Sequence, residues 1–252
     1  MGNLTPAEKL EKRLKERMVK AMATYDLIND GDKILVGLSG GKDSLCLLEL
    51  LAKRRAIQHP RFELEALHVR MSNIEYESDT TYLEEFSSSL GVRLHIRTTS
   101  FDATIETRKP PCFLCSWYRR KELFNLAQEL GCNKIALGHH QDDILHTTMM
   151  GLLYQGQFGS MPARLQMRKM PLSIIRPLCL ESEADIETYA SLRGYRKQNK
   201  RCPYERATLR DDVKKLFTQI EAMNPEARSC LWRALEKEGK LVEELTSKRV
   251  DE

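Results

Sequence analysis

The segment Gly37-Leu38-Ser39-Gly40-Gly41-Lys42-Asp43-Ser44 lies between a short apolar run and an amphipathic stretch, and its residue types suit a phosphate. Gly40 and Gly41 let the backbone approach an anion closely, and the helix that follows would offer unpaired N–H groups and a partial positive charge. Ser39 and Ser44 add hydroxyl donors and Lys42 a cation. Asp43 could hold Mg²⁺, which would screen the carboxylate from the phosphates. The GxxxxGK[ST] spacing of a Walker A loop is absent. The alternative is an ordinary glycine-rich turn, which the serines and Asp43 disfavour.

A second cluster is Gly138-His139-His140-Gln141-Asp142-Asp143, which places two carboxylates at the start of a helix. One aspartate could cap the helix and offset its dipole while the other acts on substrate or metal. His68-Val69 closes another apolar run, where ligands of open parallel sheets gather; for the His68 side chain, simple packing at a strand end is the alternative.

The third cluster is made of thiols. Cys112-Phe113-Leu114-Cys115 precedes a helix, and two thiolates at this spacing can share one metal or one face of a cluster. Zinc, an iron–sulfur cluster and a redox dithiol all accept a lone CxxC. Pro110-Pro111 before the pair disfavours thioredoxin-like chemistry. Cys202 lies in the most basic stretch, where neighbouring cations favour a thiolate. Cys46, Cys132, Cys179 and Cys230 sit in helical or strand patterns and read as small core residues. A cubane held by three cysteines leaves one iron open to an exogenous sulfide. Zinc on three cysteines is the rival reading.

The elements that must position these groups alternate regularly. Leu10, Leu14, Met18, Met22 and Tyr25 recur at helical spacing over residues 6–29. Strands are expected at 33–38, 62–69, 92–97, 133–137 and 172–176. Helices are expected at 44–55, 79–90, 116–130, 142–153 and from Ser182 to about Gly194. This predicts an α/β fold, a mainly parallel five-stranded sheet with helices on both faces. Three parts are expected: an N-terminal amphipathic helix over 1–30, a nucleotide-binding domain over 31–194, and a basic C-terminal helical region over 195–252, with helices at 205–222 and 225–238.

The chain has 252 residues, 41% hydrophobic and 30% charged, enough for a core and unlike a disordered chain. It lacks both an apolar run of about 18 residues and a secretory h-region, so no membrane span and a cytoplasmic location are expected. The net charge of +4 decides little; its distribution says more. Residues 193–215 hold nine basic side chains against three acids, and residues 164–176 hold four and none. A solvated face is the plain reading of either run; convergence on a reaction site would favour a polyanion.

SGGKDS resembles the PP-loop of N-type ATP pyrophosphatases, which grips the β- and γ-phosphates of ATP and leaves the α-phosphorus open. With Leu67-His68-Val69, Pro111-Cys112 through Arg119-Arg120, GHHQDDIL, Gly159-Ser160-Met161-Pro162, Ile174-Ile175-Arg176-Pro177-Leu178 and Cys202-Pro203, the chain resembles the tRNA 2-thiocytidine biosynthesis protein family over residues 30–203. The resemblance implies a homodimeric tRNA thiolase acting on cytidine 32, with ATP, Mg²⁺ and a [4Fe-4S] cluster on Cys112, Cys115 and Cys202. It implies nucleotide contacts from Ser39, Gly40, Gly41, Lys42, Asp43, Ser44, His68, Val69 and Gly138. Asp43, Asp142, Asp143 and Arg119 would be catalytic. A sulfur donor, sulfide or a desulfurase-derived persulfide, is a further implied partner. The chain departs from the pattern at Cys202, followed by Pro-Tyr-Glu rather than a second cysteine. Alternatives are a PP-loop ligase with zinc on the cysteines, a 2-thiouridine-forming thiolase, and an RNA-binding module with a vestigial nucleotide site.

Overall fold

The computed structural model describes residues 4–57, 59–73, 79–102, 110–196 and 209–244. Its elements run α1 (Pro6–Thr24), β1 (Asp32–Gly37), α2 (Lys42–Arg55), β2 (Phe62–Met71), α3 (Thr80–Ser89), β3 (Arg93–Thr99), α4 (Pro111–Glu129), β4 (Lys134–Ala136), α5 (Gln141–Gln155), β5 (Arg164–Gln166), β6 (Ser173–Ile175), α6 (Glu183–Leu192), α7 (Leu209–Met223), α8 (Ala227–Lys237) and β7 (Val242–Glu243). The expected C-terminal helix began at residue 205, and residues 197–208 lie outside the described residues; so does Cys202.

The strand order is β3-β2-β1-β4-β6-β5-β7. β1 pairs in parallel with β2 and β4, β2 with β3, and β4 with β6. The α/β class holds, with seven strands in place of five. β5 is antiparallel to β6, and the two-residue β7 adds to β5. Three polar-flanked residues and two residues carry no alternation, so neither strand has a period to read.

β1 lies between β2 and β4, so its side chains are buried on both faces. Ile34 and Val36 point into the larger core with α1, α2, α5 and α6; Leu35 points to the smaller one with Leu67, Val69, Leu126 and Ile135. Among the described helices, α4 supplies that second core, joined by Met167 and Met170 from the β5–β6 turn. α1 starts with a capping box between Thr5 and Glu8 and buries Leu10, Leu14, Met18, Ala21 and Met22. α7 and α8 pack on α5.

The chain leaves β1 for β2 and β3 on one side and places β4 and β6 on the other. This reversal makes the crevice between the carboxyl ends of β1 and β4 the place where a ligand of an open parallel sheet lies. The first turns of α2, α4 and α5 each follow a parallel strand, so all three face that same end of the sheet.

Candidate functional site

The loop after β1 is preformed. Leu38 donates its N–H to the Leu67 carbonyl at 2.8 Å, extending the β1–β2 ladder past the strand. His68, 1% exposed, lies beneath the loop, and its Nδ1 donates to the Leu38 carbonyl at 2.8 Å. Gly40 takes φ +81°, a conformation that favours glycine. Ser44 Oγ donates to the Gly41 carbonyl at 2.9 Å and stands 3.1 Å from Ser39 Oγ. Both hydroxyls therefore sit at the N-terminus of α2, whose N-cap is Gly41. Val69 turns its side chain into the α4 core, and β2 runs on to Met71, two residues past the end expected from the sequence.

The turn after β4 closes on this loop. A Cβ at Gly138 would lie 2.9 Å from the Asp43 carbonyl carbon and 3.0 Å from Ser44 N, so this position requires glycine to let the two turns touch. His140, the N-cap of α5, is buried among carboxylates: its Nε2 is 3.5 Å from Asp143 and 3.9 Å from Asp43, and its Nδ1 is 3.6 Å from Asp142. Burial alone would lower its pKa, but these acids together raise it. Asp43 Oδ1 is a buried oxygen with no hydrogen bond. Lys42 Nζ is 3.1 Å away as a charge partner, outside hydrogen-bonding alignment.

The two aspartates of α5 differ sharply. Asp142 accepts from Arg228 Nη2 of α8 at 2.7 Å and from the Glu183 backbone N–H at 2.8 Å, so both oxygens are occupied and the N-terminus of α6 is capped. Burial opposes ionisation, yet these donors and His140 hold its carboxyl well below the usual range. Asp143 faces His140 and, at 3.2 Å, Arg210 of α7. Asp43 and Asp143 thus both face Nε2 of His140, with Asp142 at Nδ1, and Asp43 Oδ1 is the buried oxygen of the three carboxylates still lacking a hydrogen bond. A carboxylate oxygen of that kind has the chemistry of a ligand to a hard divalent cation.

Four residues escaped the sequence reading. His139 and Arg176 form a buried pair, Arg176 Nε donating to His139 Nδ1 at 3.3 Å. Burial and the adjacent guanidinium lower His139 to about 4. Glu183 joins Lys42 of the loop, at 3.4 Å, to Lys214 of α7, at 2.6 Å. Arg228 ties α8 to Asp142. Arg176 had its IIRPL context as a signal; Arg228 had none, being one cation on an amphipathic helix.

Cys112 and Cys115 lie inside the first turn of α4, where a helix start at residue 116 was expected. Pro111 opens the helix, since its fixed φ suits the first position and its missing N–H is not needed there. A spacing of three puts both thiols on one side of that turn. Cys112 is exposed and Cys115 half-buried against Met71, Phe101 and Leu114. Arg119 follows one turn later, half-buried. Burial, with a smaller contribution from the charge of Arg120, lowers the Arg176 guanidinium to about 10. Among the described residues no group of three or more metal-ligating side chains forms. Cys112 and Cys115 would supply two ligands; Cys202 lies outside the described residues.

The PP-loop domain family matches residues 6–217. A tRNA-cytidine(32) 2-sulfurtransferase from Stutzerimonas stutzeri is 34% identical over 94% of this chain and 88% of its own length. The chain belongs to the PP-loop family and its tRNA-cytidine(32) 2-sulfurtransferase branch. The member from Bordetella avium is 40% identical over 74% of this chain and 60% of its own length. Among solved structures, the U34-tRNA thiolase NcsA from Methanococcus maripaludis, with its [4Fe-4S] cluster, superposes with a TM-score of 0.77. It is 24% identical, covers 98% of this chain and 84% of its own, and shares the fold. The PP-loop domain of this family binds ATP.

The basic stretch over 193–215 is less available than its composition suggested. Arg193 pairs with Glu49 at 2.7 Å, Arg210 with Asp143 and Lys214 with Glu183. Lys197, Lys200, Arg201 and Arg206 lie outside the described residues. In the 164–176 run Arg164 pairs with Glu244 and Arg176 with His139, while Arg168 and Lys169 are exposed. No described helix is long and apolar enough to cross a membrane.

Proposed function

We propose that this sulfurtransferase converts cytidine 32 of tRNA to 2-thiocytidine, consuming ATP and releasing AMP and pyrophosphate. One observation carries the reading. The phosphate loop, the Asp43–His140–Asp143 cluster and the CxxC pair occupy the first turns of three helices, α2, α5 and α4, at one end of one sheet. A nucleotide and a thiol-bound centre can therefore face one substrate atom.

The chain's own residues divide the work. Backbone N–H groups at the start of α2, with Ser39 and Ser44, hold the β- and γ-phosphates and leave the α-phosphorus outward. Asp43 and Asp143 would hold Mg²⁺ on the leaving pyrophosphate; the unbonded Asp43 oxygen supports this. His68 and Gly138 keep the loop in place from below and beside it. The C2 oxygen of the pyrimidine attacks the α-phosphorus, forming an O–P bond as the α–β bridge breaks. Sulfide-level sulfur then attacks C2, loses its proton as AMP leaves with the original oxygen, and a thiocarbonyl remains; a persulfide donor would first be reduced to that level by a thiol, forming a disulfide. Arg119 and Arg120 offset charge on the phosphoryl centre from across the cleft. Cys112, Cys115 and Cys202 would hold a [4Fe-4S] cluster, which supplies an open iron for the incoming sulfur. The reading includes a sulfide or persulfide donor, a homodimer and a cytoplasmic setting. It also includes a division of the chain into 1–30, 31–194 and 195–252.

Nucleoside mass analysis of tRNA from cells with and without the gene tests this: 2-thiocytidine disappears in its absence. An unchanged profile overturns the reading, and loss of 2-thiouridine alone redirects it to the other thiolase class.

A further inference from the structure

Glu183, the first residue of α6, links the phosphate loop to α7. Its Oε1 accepts from Lys42 Nζ at 3.4 Å and its Oε2 from Lys214 Nζ at 2.6 Å. Its backbone N–H donates to Asp142 at 2.8 Å, so the carboxylate stands at a set place beside the loop. Lys42 Nζ also lies 3.1 Å from Asp43 Oδ1. Arg210, one turn before Lys214 on α7, reaches Asp143 at 3.2 Å and Thr147 at 3.3 Å. A spacing of four puts Arg210 and Lys214 on one face of the helix, so α7 runs beside both turns of the nucleotide site.

With Asp43 given to Mg²⁺, two ammoniums on one carboxylate leave a net charge of +1 at this end of the loop. Burial pulls the Lys42 pKa down, but Asp43 and Glu183 more than offset it; the hydrogen bond to Glu183 raises Lys214. Both lysines are therefore charged at neutral pH. An ammonium has three N–H donors, and Glu183 takes one from each, so donors remain on both. A latch between α6 and α7 needs only Lys214 and Glu183; Lys42 on the second oxygen brings the pair to the phosphate end. Lys214 is exposed and carries its charge on a flexible stem, which lets it follow a moving phosphate. Negative charge grows on the departing pyrophosphate as the α–β bridge breaks, and a cation already at that end stabilises the change.

We propose that Lys214 is a second phosphate-binding cation, paired with Lys42 by Glu183, which contacts the β- and γ-phosphates of ATP and the pyrophosphate that leaves. This rests on the reading of the loop as the site of the ATP phosphates and is independent of which base is thiolated. Lys214 touches the leaving group; Glu183 is a positioning residue that keeps two like charges side by side until the phosphates arrive.

The test uses the full chain with Mg²⁺, wild type and the Lys214→Gln, Lys214→Arg and Lys215→Gln variants. Each is titrated calorimetrically with AMP and with α,β-methylene-ATP, a non-hydrolysable analogue that keeps the β- and γ-phosphates. Lys215 is exposed and lies about 100° round the helix from Lys214, so it controls for charge alone. Lys214→Gln should weaken the analogue by about 10-fold, the scale of one hydrogen bond to a charged group. AMP affinity and Tm should stay at wild-type values, since an exposed ion pair contributes little to stability. Lys214→Arg should recover most of the loss, and Lys215→Gln should change neither ligand. Undiminished affinity of Lys214→Gln for the analogue would overturn the proposal and leave Lys214 a surface partner of Glu183. Equal weakening of AMP and the analogue, with a lowered Tm, would reduce α7 to a latch. The same loss in Lys215→Gln would assign the effect to the overall field. A wild-type chain that fails to bind the analogue ends the ATP reading of the loop as well.

Discussion

Asp43 and Asp142 are both acids at the start of a helix, yet they should respond oppositely to amidation. Asp43 keeps a buried oxygen without a hydrogen bond, whereas both Asp142 oxygens are held by donors. Asp43→Asn should lower pyrophosphate release by about 100-fold or more, the scale of losing a preorganised charge partner, with little change in Tm. Asp142→Ala should instead lower stability by about 1–3 kcal/mol in denaturant unfolding, because Arg228 keeps only Glu221 as a charge partner and the Glu183 N–H loses its acceptor. Glu181 gives a pH signature. It is buried, 3.4 Å from Arg17, with one oxygen lacking a hydrogen bond. Burial, only partly offset by Arg17, raises it from 4.5 to about 7. The unfolded chain then loses that proton at lower pH than the folded one, so stability falls between pH 4.5 and about 7 and is level above. Glu181→Gln should remove this slope and gain up to about 3 kcal/mol over wild type at pH 8, with none at pH 4. Equal urea midpoints for the two proteins at both pH values would refute that assignment.

At the scale of elements, function depends on two turns touching. Gly138→Ala would press a methyl on the backbone of Asp43 and Ser44, a contact with no flexible end to yield. The expected result is an overpacking cost of about 1–3 kcal/mol and a raised KM for ATP, measurable by isothermal titration with a non-hydrolysable analogue. The strands and helices that place the motifs were legible because their periods are long: Leu10 through Met22 on α1, and the alternation of β2 between Leu64 or Ala66 and Leu67 or Val69. β5 and β7 were not, being too short to repeat. α4 began five residues earlier than expected, because Cys-Phe-Leu-Cys reads as a turn when its thiols are taken as ligands, while Pro111 actually opens the helix there. The phosphate loop could be read residue by residue, since its chemistry is contiguous. His140, Glu183 and Arg228 could not, because their meaning comes from partners 3, 141 and 86 positions away.

Across the described residues, part of the charge that looked free in the sequence is engaged. Arg193, Arg210 and Lys214 hold the protein's own acids, so described cations without such a partner, Lys121 among them, should weigh more in the salt dependence of tRNA binding. Lys121→Ala should reduce the slope of log Kd against log salt by about 1, whereas Arg193→Ala, whose guanidinium is already held by Glu49, should change it less. An equal loss from both would refute that distribution. The contact from Arg228 to Asp142 has another consequence. α8 begins at Ala227, beyond every motif of the nucleotide site, and translation delivers it after them. A nascent polypeptide interrupted before that point would own a complete set of signature residues, yet Asp142 would lack the guanidinium that fills one of its oxygens and keep only the Glu183 N–H on the other.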